Sequence, residues 1–335
     1  MFKRLTHKIR NFFAEKAVIL MYHQVCERTS DPWELAVSGE NFDAQLKEIG
    51  KAFNVVPLEE LATSVRQRKL KHKLLSITFD DGFRDNYTTA KPMLEADSLP
   101  ATFFFTTNSF SEARTFWWEE LEALILHAPE LPRRISLMIG SIRFDFAFTR
   151  DARLNATLTR QIKAWSASDE PPNERTRLFM ELWRVIKPLA FTEQLNVLDR
   201  LREITHVNVQ STPEVMTCDE MKQLRKNKLF SIGAHTVHHA MLGAQDKQTQ
   251  QSEIVDSKRA LEKMLSEDVT SFAYPYGNYN QTTTMLLREA GFHYAVSTKP
   301  GTVTHSDSVF ELPRIQVKNW GKKTFLKELN QITRL

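Results

Sequence analysis

Short, almost wholly apolar runs alternate along this chain with stretches whose apolar residues recur every three or four positions. That rhythm predicts the strands of a buried parallel sheet separated by covering helices. Ala17 to Tyr22 reads as a first strand, and Phe42, Leu46 and Ile49 mark the inward stripe of a first helix. Leu58 to Arg68 reads as a helix, Leu74 to Phe79 as a strand, Asn86 to Ala96 as a helix and Ala101 to Phe105 as a strand. From about Arg114 to Pro213 the rhythm changes. Trp117-Trp118-Glu119-Glu120 opens a helix, and Ile135 to Phe148 reads as a hairpin turning near Gly140-Ser141. Three helical stretches follow, Leu154 to Trp165, Glu174 to Ile186 and Thr192 to Ile204, punctuated by Pro171-Pro172 and Pro188. Alternation resumes at Thr217-Cys218-Asp219-Glu220, a capping-box pattern that starts a helix ending near Asn227. Strand Leu229 to Gly233, a helix near Gln250 to Ser266, strand Val269 to Ala273, helix Thr282 to Ala290 and strand Tyr294 to Ser297 complete the series. The reading is an α/β domain over 17–113 and 214–335, with a mostly helical insertion and hairpin at 114–213.

Composition narrows this only a little. At 335 residues, 41% hydrophobic and 26% charged, the chain can bury a sizeable core. A net charge of +4, with bases and acids interleaved, argues against a nucleic-acid partner. Cys26 and Cys218 stand far apart, so neither a disulfide framework nor a thiolate metal cage is indicated. Residues 1–16 carry Lys3, Arg4, Lys8, Arg10 and Lys16 opposite Phe2, Leu5, Ile9, Phe12 and Phe13. That is the pattern of a basic amphipathic helix, either lying on an anionic membrane surface or docked on its own domain. It lacks the apolar stretch of a signal peptide, and the expected location is cytoplasmic, with peripheral contact to the inner membrane through residues 2–16.

Three strand ends carry the chemistry. Asp80-Asp81-Gly82 follows the run Leu74 to Phe79, so two adjacent carboxylates stand at a sheet rim, where one can bind a cation and the other take a proton. Either could instead be a plain turn residue. His235 and His239, four residues apart, project the same way if they share a helical turn and complete a three-ligand face with one carboxylate. His238 between them reads as a supporting residue. Tyr274-Pro275-Tyr276-Gly277 ends a strand in a rigid turn able to aim a backbone N–H into a cleft, and His23 ends the first strand without an evident packing reason. Phe116, Trp117 and Trp118 read either as core or as a sugar-stacking platform.

Thr78-Phe79-Asp80-Asp81-Gly82, His235-Thr236-x-x-His239 and Tyr274-Pro275-Tyr276-Gly277 resemble, in order, the signature motifs of the polysaccharide deacetylase family, the chitooligosaccharide deacetylase-like carbohydrate esterases. The resemblance covers Ala17 to Phe105 and about Thr217 to Val317 and implies a distorted (β/α) barrel. It implies that Asp81, His235 and His239 hold the metal, that Asp80 is the catalytic base and that the Tyr276 N–H is the oxyanion donor. Two departures stand out: Ala273 replaces an arginine, and Leu312-Pro313-Arg314 stands where a leucine-x-histidine motif is usual. Met21-Tyr22-His23 resembles the early motif of the poly-N-acetylglucosamine deacetylases, in which this histidine is the general acid. Arg314 then becomes the candidate to orient Asp80 and keep it ionised.

The expectation is a hydrolase that removes acetyl from N-acetylhexosamine units of a glycan or lipid-linked saccharide during surface polysaccharide biosynthesis. Its cofactor is one divalent metal, zinc by donor set, with cobalt, nickel, iron or manganese as alternatives. The competing readings are a deformylase or O-acetyl esterase on a sugar, and an inactive glycan-binding module. The intact Asp80, Asp81, His235 and His239 weigh against the last.

Overall fold

The computed structural model of the protein describes residues 16–71, 73–110, 115–207 and 215–333. The basic segment 1–15 lies outside the described residues, and Lys16, expected to end that helix, instead opens the first strand. Strands form where the sequence is continuously apolar: β1 (Lys16–Tyr22), then the two-residue β2 (Asn54–Val55), β3 (Leu74–Phe79) and β4 (Ala101–Phe105). A separate hairpin, β5 (Arg134–Ile139) and β6 (Ile142–Ala147), turns through Gly140-Ser141 with Ile139 opposite Ile142. β7 (Phe230–Ala234), β8 (Ser271–Ala273), β9 (Tyr294–Val296), β10 (Val303–Thr304) and β11 (Ile315–Gln316) follow.

β1, β3, β4, β7, β8 and β9 are hydrogen-bonded in that order, every pair parallel. β11 runs parallel to the outer edge of β1, and just before it Leu312 bridges in parallel to Val296 of β9. The segment 312–316 therefore stitches the last strand of the sheet to the first, and the sheet curls into a distorted (β/α) barrel wrapped by helices. Pro313, which has no N–H to give, sits between Leu312 and Arg314, whose amides bond to Ala295 and Lys299.

Strand parity decides what faces where. Leu75, Ile77 and Phe79 pack with Phe103, Phe105 and the helix residues Phe42 and Leu46, whereas Ile19, Leu74, Phe104, Val296 and Leu312 form a second buried cluster on the opposite face. Counting on from Leu74 by twos, Ser76, Thr78 and Asp80 share that second face. Because the core strands are parallel, their C-terminal ends meet at one rim.

Most helices lie where the periodicity places them, with Thr217 and Glu220 forming the expected capping box. The stretch expected as one helix from Asn86 begins instead as a π-helical turn over Asn86–Ala90 and becomes α-helical only at Lys91–Ala96. Pro92, which cannot donate to the preceding turn, accounts for the wider start. The helix Lys322–Thr333 and the strands β2, β10 and β11 are additions to the sequence reading. Two-residue strands carry no period to read.

The inserted segment has a core of its own. Trp117, Leu121, Leu124, Ile135, Phe179, Leu182, Leu198 and Leu201 pack together, and Trp33 and Tyr276 of the barrel lie against them. Its helices Trp117–Ile125 and Glu174–Ile186 bring Trp118 and Trp183 over one side of the barrel rim. Among the described residues no helix is long and apolar enough to cross a membrane.

Candidate active site

A cavity of about 270 Å³ opens at the C-terminal rim, walled by strand ends below and by Trp118, Trp183 and Lys187 of the inserted segment above. His23, Asp80, Asp81, His235, His239 and Tyr276 all line it. Arg314 lies behind Asp80 rather than on the wall and is fully buried.

The two adjacent aspartates have different partners. Asp80 continues the inward face of β3 and receives a fork of hydrogen bonds from Arg314, Nη1 to Oδ1 at 2.7 Å and Nη2 to Oδ2 at 2.6 Å. The same guanidinium donates to Thr78 Oγ1 and, through Nε, to the Ser297 carbonyl, so its orientation is fixed from three sides. Burial alone raises the Asp80 pKa, but the Arg314 charge and hydrogen bonds outweigh it and hold the carboxyl below the usual range. Each oxygen of the clamped carboxylate keeps acceptor capacity beyond its bond to Arg314.

Asp81 turns the other way because its backbone is left-handed, at φ 73°. Gly82 follows at φ 76°, and a Cβ there would stand 2.4 Å from the Phe105 ring. Asp81 Oδ1 lies 3.4 Å from His235 Nε2 and 3.2 Å from His239 Nε2. His235 is oriented by its other nitrogen, Nδ1, 2.7 Å from the Ala273 carbonyl oxygen, so Nε2 presents a lone pair to the centre. Burial lowers the His239 pKa, which favours the neutral ligand form.

The two histidines were expected on one helical turn, and the structure corrects this. Residues 235–240 form no helix: Thr236 and His239 have φ of 67° and 58°, which a right-handed helix excludes. The loop is instead wrapped around one carboxylate. Glu253 accepts the backbone N–H groups of Val237 and His238 and pairs with His238 Nδ1 at 2.6 Å. His238 thus points away from the centre, stacked on Phe191 at 4.2 Å.

A divalent cation fits the Asp81, His235 and His239 group. Their ligand atoms lie within 4.8 Å of one another, all three residues are buried, and Asp81 Oδ1 has no hydrogen-bond donor. A buried carboxylate oxygen without a donor is costly, and a cation between the three atoms would remove that cost. Two imidazoles and one carboxylate are the donor set of a borderline metal such as zinc.

Tyr276 sits in the turn Pro275–Gly277 at φ 57°. Its ring lies 4.5 Å from that of His239, and its hydroxyl accepts a hydrogen bond from Trp117 Nε1 at 3.0 Å. A Cβ on Gly277 would fall 2.0 Å from Thr298 Oγ1, so the tightness of the turn requires glycine there. His23 follows β1 directly. Burial lowers its pKa, with Asp81 and Asp80 acting in the opposite sense.

The sequence that carries most of this rim matches a known family. The family model of the polysaccharide deacetylases matches residues 67–135 and 193–295, just over half of the chain. The chain belongs to the polysaccharide deacetylases. The gap in the match, 136–192, falls within the inserted segment. Among curated relatives, the Bacillus subtilis protein YxkH, whose name assigns it to the polysaccharide deacetylases, is 23% identical over 304 residues, 90% of this chain and 71% of that protein. The poly-β-1,6-N-acetyl-D-glucosamine N-deacetylase of Staphylococcus aureus is 25% identical over 114 residues, 32% of this chain and 39% of that enzyme. Among solved structures, the Streptococcus pyogenes deacetylase PplD in complex with acetate aligns over 94% of this chain and 98% of its own, with a TM-score of 0.58 and 20% identity. IcaB from Ammonifex degensii aligns over 94% and 95%, with a TM-score of 0.54 and 17% identity. At these identities the two structures speak to the fold, a deacetylase (β/α) barrel.

Aromatic residues complete the wall. Trp118, read from the sequence as core or as a sugar-stacking platform, lies in the insertion core at 6% exposure and also lines the cavity, its ring 4.6 Å from that of His239. Phe116 stacks on Trp118 at 4.4 Å. Trp33, Trp183 and Lys187 escaped the sequence reading altogether, although Trp183 and Lys187 share one helical face at i, i+4.

Proposed function

We propose that the protein is a metal-dependent N-deacetylase of N-acetylhexosamine units in a glycan or a lipid-linked saccharide, serving surface polysaccharide biosynthesis. The single observation that carries this is the pairing of an ionised, guanidinium-clamped Asp80 with the buried three-ligand group of Asp81, His235 and His239 in one cavity. Asp81, His235 and His239 would hold the divalent cation, which when bound polarises a carbonyl oxygen and brings the pKa of water toward neutrality.

The chain's own residues then divide the proton transfers. Asp80, fixed by Arg314, takes a proton from the water that attacks the acetamide carbon. The Tyr276 backbone N–H is assigned to the oxygen that gains negative charge. His23 is assigned the proton that goes to the amine nitrogen as the C–N bond breaks; burial lowers its pKa, and the neighbouring Asp81 and Asp80 oppose that fall. Acetate and a free amine leave. The aromatic wall of Trp33, Trp118 and Trp183 offers flat surfaces for pyranose rings. Support for the substrate class comes from the Staphylococcus aureus relative, which is named as an N-deacetylase of an N-acetylglucosamine polymer, and from the acetate in the Streptococcus pyogenes structure.

The test is mass detection of acetyl loss, with amine counting, on a panel of N-acetylhexosamine glycans and lipid-linked saccharides. One amine per acetate is expected, and Asp80→Asn and His23→Ala should each lower the rate on the order of a hundred-fold or more. Acetate without amine would reassign the enzyme as an esterase. Wild-type turnover in His23→Ala would remove His23 from its role.

A further inference from the structure

Lys187 is a charged group of the cavity wall that the proposed reaction does not use. It ends the Glu174–Ile186 helix, and its Nζ lies 3.9 Å from the centroid of the Trp183 ring and 5.4 Å from that of Tyr276, whose ring in turn touches His239. The other charges of the wall have partners. Asp80 is matched by Arg314, and Asp81 faces the two imidazoles. Among the described residues Lys187 forms no ion pair with a carboxylate. The helix dipole favours a cation at this end, which accounts for the charge but not for an ammonium held against two rings of the active-site wall. Burial there pulls the amine below the usual lysine value. An anion placed beside it would repay that desolvation and use donors that the two rings do not satisfy.

We infer that Lys187 binds an anionic oxygen group, a phosphate ester or a uronic carboxylate, borne by the same saccharide whose acetamide is cleaved, and that the preferred substrates are acidic N-acetylhexosamine saccharides. The inference rests on the deacetylase reading above. It makes the inserted segment, which contributes Lys187, Trp183 and Trp118, the part of the chain that reads the substrate beyond its acetyl group.

The experiment measures kcat/KM on three N-acetylglucosamine oligosaccharides: a neutral one, one carrying a terminal phosphate and one with a neighbouring uronic acid. The wild type should favour at least one acidic substrate over the neutral one by about 10- to 100-fold, the range of a charge-assisted hydrogen bond. Lys187→Met should erase that ratio and Lys187→Arg should retain most of it. The arm whose preference disappears names the anion. Equal use of all three by the wild type, or a loss in Lys187→Met that leaves the ratio intact, would overturn the inference. Calorimetry with glucosamine phosphate and with glucuronic acid supplies a readout that needs no turnover. Binding that depends on Lys187 in a protein unable to deacetylate any of the three would sink the deacetylase reading alone. Turnover without acidic preference would sink this inference alone.

Discussion

Arg314 and Asp80 form the contact on which the proposed proton transfers turn, because desolvation would raise the pKa of a buried carboxylate without its guanidinium. The sign follows directly. Asp80 acts as a base only when ionised, and its folded pKa lies below the ordinary value of 3.8, so the stability it contributes is present above that value and is lost as pH falls through the folded pKa. Arg314→Lys keeps a positive charge but gives up the two-pronged geometry. We expect it to lower kcat on the order of 10- to 100-fold and to move the acidic limb of the pH-rate profile to higher pH. An unchanged limb and full activity would show that Asp80 is held by something else. Gly82 tests the backbone at the same strand end. With φ at 76° and Phe105 2.4 Å from any added Cβ, Gly82→Ala should cost about 2–4 kcal/mol, measured by denaturant unfolding. A change under about 0.5 kcal/mol, the range of a neutral surface substitution, would contradict the packing described.

At the scale of elements, the loop 235–240 owes its shape to a helix that never enters the cavity. Glu253, on the helix Lys247–Leu265, collects two backbone N–H groups and His238 of that loop. Glu253→Gln should therefore weaken metal affinity by about 10- to 100-fold, as loss of a supporting contact behind a ligand does. Titration with a metal indicator reads this, and unchanged affinity would mean that the strand end alone fixes the histidines. In the insertion, the Glu174 carboxylate collects the Thr149 hydroxyl and the N–H groups of Thr149, Arg150 and Asp151. Against the rise expected from burial, these donors bring its pKa down from 4.5 to about 2. Their stabilisation is thus complete above about pH 4.5 and fades as pH falls toward 2. Glu174→Gln should lower stability at pH 7 by about 1 kcal/mol and flatten the acid dependence, both measurable by urea unfolding across pH. These elements also show how far the sequence could be read. Runs such as Leu74–Phe79 and stripes such as Phe42, Leu46 and Ile49 declare themselves by period, because burial on fixed faces demands it. The loop 235–240 did not, because left-handed φ at Thr236 and His239 leaves no mark in residue type. Nor did β11, whose two residues matter only because they close the sheet.

For the whole molecule, the parallel barrel gathers chemistry from sequence-distant strand ends, and the insertion supplies the roof. His23, Asp80, Asp81, His235 and Tyr276 each stand at the end of a core strand, which is why motifs read separately along the chain meet in one cavity. Trp183 and Lys187 were not legible as site residues because their place depends on how the insertion folds back over the rim, a tertiary fact that helical periodicity does not contain. If Asp81, His235 and His239 form a metal site, saturating cation should also raise folding stability, by about 2.7 kcal/mol at a hundred times Kd. On the proposed assignment these three side chains hold one ion while Asp80 beside them does not. Metal content per chain, measured in wild type, Asp81→Ala and Asp80→Asn after identical loading, tests it most directly. The expected result is one divalent ion in wild type and in Asp80→Asn and none in Asp81→Ala. Retention of the ion by Asp81→Ala, or its loss only in Asp80→Asn, would contradict the claim.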